Sequence, residues 1–127
     1  MIVEIPMPYI GSCLSVNHYK VGKYYTRRET AEWMLALQAQ ARYHLRNSVV
    51  KFPPIIHLSG IFKNLNNCPD MSNLTKVVFD SLELVFKTND RDYKLIDEGY
   101  TIDKSKEPML IIGIEVESGV EVSNVAA

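Results

Sequence analysis

The sequence predicts an α+β (mixed α/β) fold: one small domain, one mixed sheet and two helices, in the order β-α-β-α-β-β. Three observations predict it. Trp33, Leu37, Ala41 and Leu45 recur every four residues, which is helical spacing. Leu74, Val77, Val78, Ser81, Leu82 and Val85 make a second apolar or small stripe of the same kind. Between and after these segments, alternation at Ile56, Leu58, Gly60 and Phe62, and again at Ile112, Ile114 and Val116, is the period of a strand. A chain of 127 residues is long enough for one hydrophobic core and not for two. Residues 1–127 therefore read as a single domain.

Taken in order, Met1 to Ile5 alternates and reads as an opening strand, after which Pro6, Pro8, Gly11 and Ser12 are expected to break regular structure. Leu14 to Lys20 leads into Gly22 to Thr26, an aromatic and basic loop or short hairpin. Thr30 stands where it would cap a helix that begins near Ala31 and runs to about Arg46, with Gln38, Arg42 and Arg46 on its outer side. Lys51 to Pro54 ends that element. In the strand Ile55 to Lys63, the face opposite Ile56 and Leu58 carries Ile55, His57, Ser59 and Ile61. A polar turn, Asn64 to Pro69, delivers the chain to the central helix, which Asp70 or Ser72 is placed to cap. Tyr93 to Ile102 reads as a strand, Asp103 to Pro108 as a charged turn and Met109 to Glu117 as the final strand. The stretch 119–127 reads as a frayed tail.

Composition narrows the class. With 46% hydrophobic and 23% charged residues the chain is an ordinary globular one, which excludes a disordered or fibrous protein. No apolar run approaches the roughly 20 residues that span a bilayer, and the N-terminus lacks a basic region followed by an apolar core. A cytoplasmic location without membrane attachment is the expectation. Cys13 and Cys68 form neither a metal pattern nor a disulfide framework and read as reduced thiols. The net charge is −1, but the charge is unevenly spread. Between Asn17 and Lys51, seven basic residues face only Glu29 and Glu32, whereas acids outnumber bases from Asp70 to Glu107. Such a division suits a protein that holds phosphates on one surface and metal on another; lopsided helix surfaces also arise by chance.

The chemistry concentrates between Pro69 and Asp92. Asn73, Lys76, Asp80, Glu83 and Lys87 follow one another at steps of three and four and form a polar stripe opposite the apolar one. Asp70 precedes the helix; Asp90 and Asp92 follow it. Hard divalent cations prefer carboxylate oxygens, and acids brought together can hold one or two such ions against a phosphodiester. Lys76 is spaced to contact the phosphate or the charge that develops on it. Each residue also has a structural reading: Asp70 as a cap, Lys76 and Asp80 as a surface pair four residues apart, Asp90 and Asp92 as turn residues. Spacing alone does not choose between the two.

These residues resemble the pattern of the RusA-type Holliday junction resolvases, small endonucleases common in phages and prophages. That pattern is Asp-x-Asp-Asn-x-x-Lys at a helix start, often after Pro, with an Asp further along, then a loop with paired acids and a strand. Pro69-Asp70-Met71-Ser72-Asn73-Leu74-Thr75-Lys76 with Asp80 is similar to the first part, and Asn89-Asp90-Arg91-Asp92 to the acidic loop. Ser15-Val16-Asn17-His18-Tyr19 resembles the family's Ser-x-Asn-x-Tyr segment, and Glu107-Pro108 leads similarly into an apolar strand. The motifs are short, but they occur in the right order from about Ser15 to Glu117.

The resemblance implies a homodimer that binds four-way or branched DNA and makes paired nicks in recombination or repair, using Mg²⁺ or Mn²⁺. It implies catalytic roles for Asp70, Lys76 and Asp90, with Asp70, Asp90, Asp80 and Asp92 as metal ligands. Asn17, Tyr19, Lys20, Lys23, Arg27, Arg28 and Asn73 are the DNA-contacting candidates. The tyrosine reads either as a ring stacked on an opened base or as packing. Two positions depart from the pattern: Ser72 stands where an acid would complete the first motif, a substitution in the first coordination shell, and Asn89 replaces the first member of the loop pair. With fewer carboxylates, a junction-binding protein that has lost cleavage is the alternative.

Overall fold

A computed structural model describes residues 1–21 and 25–117. The main elements are strand β1 (Ile2–Pro8), a short hairpin of β2 (Lys20–Val21) and β3 (Tyr25–Thr26), and helix α1 (Arg28–His44). Strand β4 (Ile55–Phe62), helix α2 (Thr75–Phe86), strand β5 (Lys94–Ile102) and strand β6 (Met109–Glu115) follow. The order β-α-β-α-β-β holds, with the β2–β3 hairpin added as a separate two-stranded sheet. The tail from 119 to 127 lies outside the described residues.

The four long strands form one mixed sheet in the order β1-β6-β4-β5. β6 is antiparallel to both of its neighbours, while β4 and β5 run parallel, so α2 is the crossover that joins them. The alternation read along β4 is realised: Ile56, Leu58, Gly60 and Phe62 are buried, and Ile55, His57, Ser59 and Ile61 are partly open. At Gly60 a side chain has no room, because an added Cβ would lie 2.5 Å from the Phe62 ring. Ile5, Ile112 and Ile114 from the sheet share one core with Trp33 and Leu37 of α1 and Val77, Val78 and Leu82 of α2. Both helices therefore cover the same sheet face. Each fully buried aliphatic side chain there contributes about 1.5–3 kcal/mol.

Four expectations are corrected by packing. β1 continues through Pro6 and Pro8 instead of stopping before them. It is an edge strand, and the two prolines alternate with buried Ile5 and Met7, so their missing N–H groups are tolerated. α1 begins at Arg28 with Arg27 as its flanking residue; Thr30 is not a cap but is fully buried, its hydroxyl donating to the Cys13 carbonyl at 2.7 Å. Gln38 is buried, not outward-facing. One turn on, Arg42 reaches the Leu84 carbonyl of α2 at 3.5 Å, which marks this flank of α1 as the one turned toward α2. The final strand ends at Glu115, two residues short of the expected bound, with Val116 in an isolated bridge to Val50. Cys13 and Cys68 are free thiols. Among the described residues no helix is long and apolar enough to cross a membrane.

Candidate metal centre

α2 buries Val77, Val78, Ser81 and Leu82 and leaves Lys76, Asp80 and Glu83 on its outer flank, one helical turn apart. The Lys76 ammonium lies 3.0 Å from Asp80 Oδ1. The helix stops at Lys87, whose φ of 59° is left-handed and whose N–H bonds the Glu83 carbonyl at 2.8 Å. This conformation turns the chain back along the helix it has just left. Asn89 then opens a 3-10 turn over Asp90–Asp92, its side chain accepting from the Arg91 N–H at 3.0 Å. Tyr93 fastens the turn: its hydroxyl donates to the Thr88 carbonyl at 3.0 Å, and its ring meets Phe79 and Phe86 edge to face. Asp90 is thereby delivered to within 3.6 Å of Lys76.

The result is a cluster in which Asp80, Glu83 and Asp90 each offer a carboxylate oxygen within 4.8 Å of the others. The crowding shows in the protonation equilibria. Burial, then hydrogen bonding to Asp90 and the charges of Asp90 and Asp80, raise the Glu83 carboxyl above its usual range. The Asp80 hydrogen bond raises the Lys76 ammonium, which therefore stays charged. Tyr19 closes the cluster from the N-terminal side. It is almost fully buried, and its hydroxyl donates to Asp80 Oδ2 at 2.7 Å. Burial and that bond push its own proton affinity well above the ordinary tyrosine range. Asp80 is thus held from both sides, by Tyr19 on one oxygen and Lys76 on the other.

Three carboxylates with no cysteine or histidine among them make an all-oxygen donor set that could hold a metal ion. Of the residues singled out from the sequence, Lys76, Asp80 and Asp90 are brought together. Asp70 and Asp92 are not part of this cluster. Asp70 caps the 3-10 turn Met71–Leu74 ahead of α2, its Oδ1 accepting from the Ser72 N–H at 3.1 Å and the Ser72 hydroxyl at 2.9 Å. Asp92 is exposed, 3.9 Å from the Arg91 guanidinium. Ser72 and Asn89, the two departures from the acidic pattern, both serve local turn geometry.

The DNA-contacting candidates divide similarly. Of the two readings of Tyr19 it is the packed one that the structure has: the side chain is buried, its hydroxyl on Asp80, and is not free to stack on a base. Lys20 lies above its ring, 5.6 Å from the centroid. Arg27 donates to the His18 carbonyl and Arg28 pairs with Glu32 at 3.1 Å, both on an exposed surface with Asn17. Asn73 is half-buried, its carbonyl receiving the Val16 N–H at 2.8 Å. Lys23 lies outside the described residues. Sequence reasoning missed Glu83 as a ligand, although its place on the polar stripe, three residues after Asp80, was the available signal. It also missed the Tyr19–Asp80 bond, which spans 61 positions and leaves no periodic trace.

No family model matches the chain, and no curated protein matches it. Among solved structures, one of 2C-methyl-D-erythritol-2,4-cyclodiphosphate synthase aligns with a TM-score of 0.30 and 11% identity, over 74% of this chain and 56% of that one. The chain spans little more than half the length of that protein, and a likeness this low carries no argument about fold or activity.

Proposed function

We propose that the protein is a metal-dependent, structure-selective endonuclease that nicks four-way or branched DNA. The observation that carries this reading is the convergence of Asp80, Glu83 and Asp90 beside Lys76. Three carboxylates against one ammonium leave an excess of negative charge that a divalent cation neutralises. A cation bound there supplies Lewis-acid stabilisation of the phosphate and a water of lowered pKa. The remaining roles fall to the chain itself. Asp80 and Asp90 would hold the cation, and the Lys76 ammonium beside them would face the phosphate charge. Tyr19 fixes the orientation of Asp80. A cation and a proton would compete for Glu83, whose carboxyl is raised by burial and by the same neighbouring acids. The exposed Lys20, Arg27 and Arg28 lie on the segment that carries Tyr19 and supply phosphate contacts that position the DNA without reading sequence. The family resemblance adds Asp70 as a catalytic acid and a homodimer matched to the near-twofold symmetry of a junction.

A second reading, a junction-binding protein without cleavage, is favoured by one observation: Lys76 already bridges Asp80 and Asp90, and Ser72 and Asn89 supply no carboxylate. One experiment separates the two. A labelled synthetic four-way junction and a matching linear duplex are incubated with the protein in Mg²⁺, Mn²⁺ or EDTA, beside the Asp90→Asn variant. Paired nicks in the junction alone, lost in EDTA and in the variant, establish the endonuclease. Salt-sensitive junction binding with no nicking establishes the second reading, and neither binding nor nicking excludes both.

A further inference from the structure

The last turns of α1 and α2 meet and gather basic side chains that the carboxylate cluster does not use. Arg42 donates to the Leu84 carbonyl of α2 at 3.5 Å. Arg46 donates to the Tyr43 carbonyl at 2.6 Å and holds its guanidinium 4.0 Å from the centre of the exposed Tyr43 ring. Lys87, three residues past Leu84, is exposed at the C-cap of α2. Arg28, Lys51, Lys63, Lys76 and Arg91 each pair with a carboxylate; among the described residues Arg42, Arg46 and Lys87 pair with none. Glu83, the acid beside Leu84, belongs to the cluster with Asp80 and Asp90.

One role for cations at this place is local, to complement the carbonyl ends of the two helices. Their number exceeds that role. Each helix C-terminus carries about half a negative charge, so two of them offset one cation of the three and about two positive charges face solvent. Each guanidinium is held by one carbonyl, which leaves most of its N–H donors open to the oxygens of a phosphate. We propose that Arg42, Arg46 and Lys87 form a second phosphate-binding surface, which takes the backbone of a duplex arm of the DNA. The assignment rests on the endonuclease reading for the identity of the polyanion. Its position fits that substrate. At the start of α1 the Arg27 N–H bonds the Tyr19 carbonyl, and Tyr19 bonds Asp80. At the end of α1, Arg42 reaches Leu84, one helical turn beyond Asp80 on the same flank of α2. The carboxylates are thus flanked by Lys20 and Arg27 on one side and by the three cations on the other. The length of α1 separates Arg27 from Arg42 by about 22 Å, or about six or seven base pairs at 3.4 Å each. Cations at both ends offset the repulsion that an acidic cluster alone exerts on a phosphate backbone.

The test uses the full chain and a labelled synthetic four-way junction in EDTA, so that binding is read without cleavage, over a series of salt concentrations. The double variant Arg42→Gln, Arg46→Gln is expected to make the slope of log affinity against log salt shallower by about 1.8, about 0.9 for each lost phosphate contact. Arg42→Lys with Arg46→Lys keeps the charges while changing the carbonyl bonds, and is expected to keep the wild-type slope. A slope that falls equally in the lysine variant assigns the loss to the helix ends and overturns the surface. Lys104→Gln, in the turn between β5 and β6, is the control and is expected to change nothing. In hydroxyl-radical footprinting, the protection lost from the glutamine variant is expected about six or seven base pairs from that lost in Arg27→Gln. An unchanged slope overturns the surface, as does a glutamine variant that loses binding only to phosphatidylserine vesicles. Nicking by the wild type, with an unchanged slope in the variant, overturns the surface and leaves the endonuclease standing. A shallower slope in a protein that never nicks supports the surface and overturns the endonuclease.

Discussion

Lys76 and His57 each stand between two carboxylates, one on the outer flank of α2 and the other on the sheet face that the helices leave open. Lys76 lies 3.0 Å from Asp80 and 3.6 Å from Asp90. His57 places Nε2 2.7 Å from Glu115 and Nδ1 3.3 Å from Glu98. The acids around Lys76 converge, with Glu83 added, so that a proton is held more tightly there than usual. Those around His57 sit at opposite ends of the ring, and the Lys51 ammonium lies 3.7 Å from Glu115. Hydrogen bonding from His57 accordingly lowers the Glu115 carboxyl below its usual range. Equal counts of neighbours thus give opposite electrostatics. The first arrangement has unmet negative charge and suits a cation; the second sets His57 of β4 between Glu98 of β5 and Glu115 of β6, with Nε2 hydrogen-bonded and Nδ1 left without a hydrogen-bond partner.

The largest expected difference is in cleavage. Asp80→Asn or Asp90→Asn should lower junction nicking by more than about 100-fold, exceeding the loss typical of outer-shell residues, while His57→Ala leaves nicking unchanged in the same gel assay. Equal losses would erase the distinction drawn here. The next effect is thermal. Mn²⁺ at 100 times its Kd adds about 2.7 kcal/mol, a rise in Tm on the order of 10 °C by scanning calorimetry, and Asp90→Asn should abolish it.

The pH dependence sharpens the contrast. Because the Glu83 pKa is raised in the fold, its contribution to the metal-free protein is present below the ordinary value of 4.5 and is lost as pH climbs through the raised value. Metal competes with that proton, so Mn²⁺ stabilisation should grow over the same rise in pH, and Glu83→Gln should flatten the metal-free curve. Tyr19→Phe removes only a hydroxyl and should cost about 1.5–3 kcal/mol in urea titrations, with a smaller loss of nicking than Asp80→Asn. The smallest effect belongs to the open face. Glu115, with its lowered pKa, contributes stability above 4.5 that is lost as pH falls through the lowered value, and His57→Ala should shrink that acid-limb drop in the urea midpoint.

The parts that were legible in the sequence are those in which burial imposes a period. The faces of β4 and α2 follow directly from the spacing of Ile56, Leu58, Val77, Val78 and Leu82. Pro6 and Pro8 misled because a proline reads as a strand breaker until the strand is known to lie at an edge. Thr30 misled because a threonine ahead of an apolar run reads as a cap, and Gln38 because a polar side chain reads as outward-facing; a buried hydroxyl with a carbonyl partner is stable. At the candidate centre, Lys76 and Asp80 were legible as helix neighbours. The arrival of Asp90 depends on a left-handed Lys87, which no glycine announces. The exclusion of Asp70 from the cluster follows from its commitment to the turn ahead of α2.

The bond from Tyr19 to Asp80 has a thermodynamic consequence. Lys76, Asp80, Glu83 and Asp90 lie within one short segment of chain, and this hydroxyl is their tie to the N-terminal loop. If DNA seated on Lys20, Arg27 and Arg28 displaces that loop, the orientation of Asp80 changes with it. Reciprocity then requires that cation occupancy alter DNA affinity by the same factor as DNA alters cation affinity. Loading the substrate and loading the metal become two readings of a single coupling free energy.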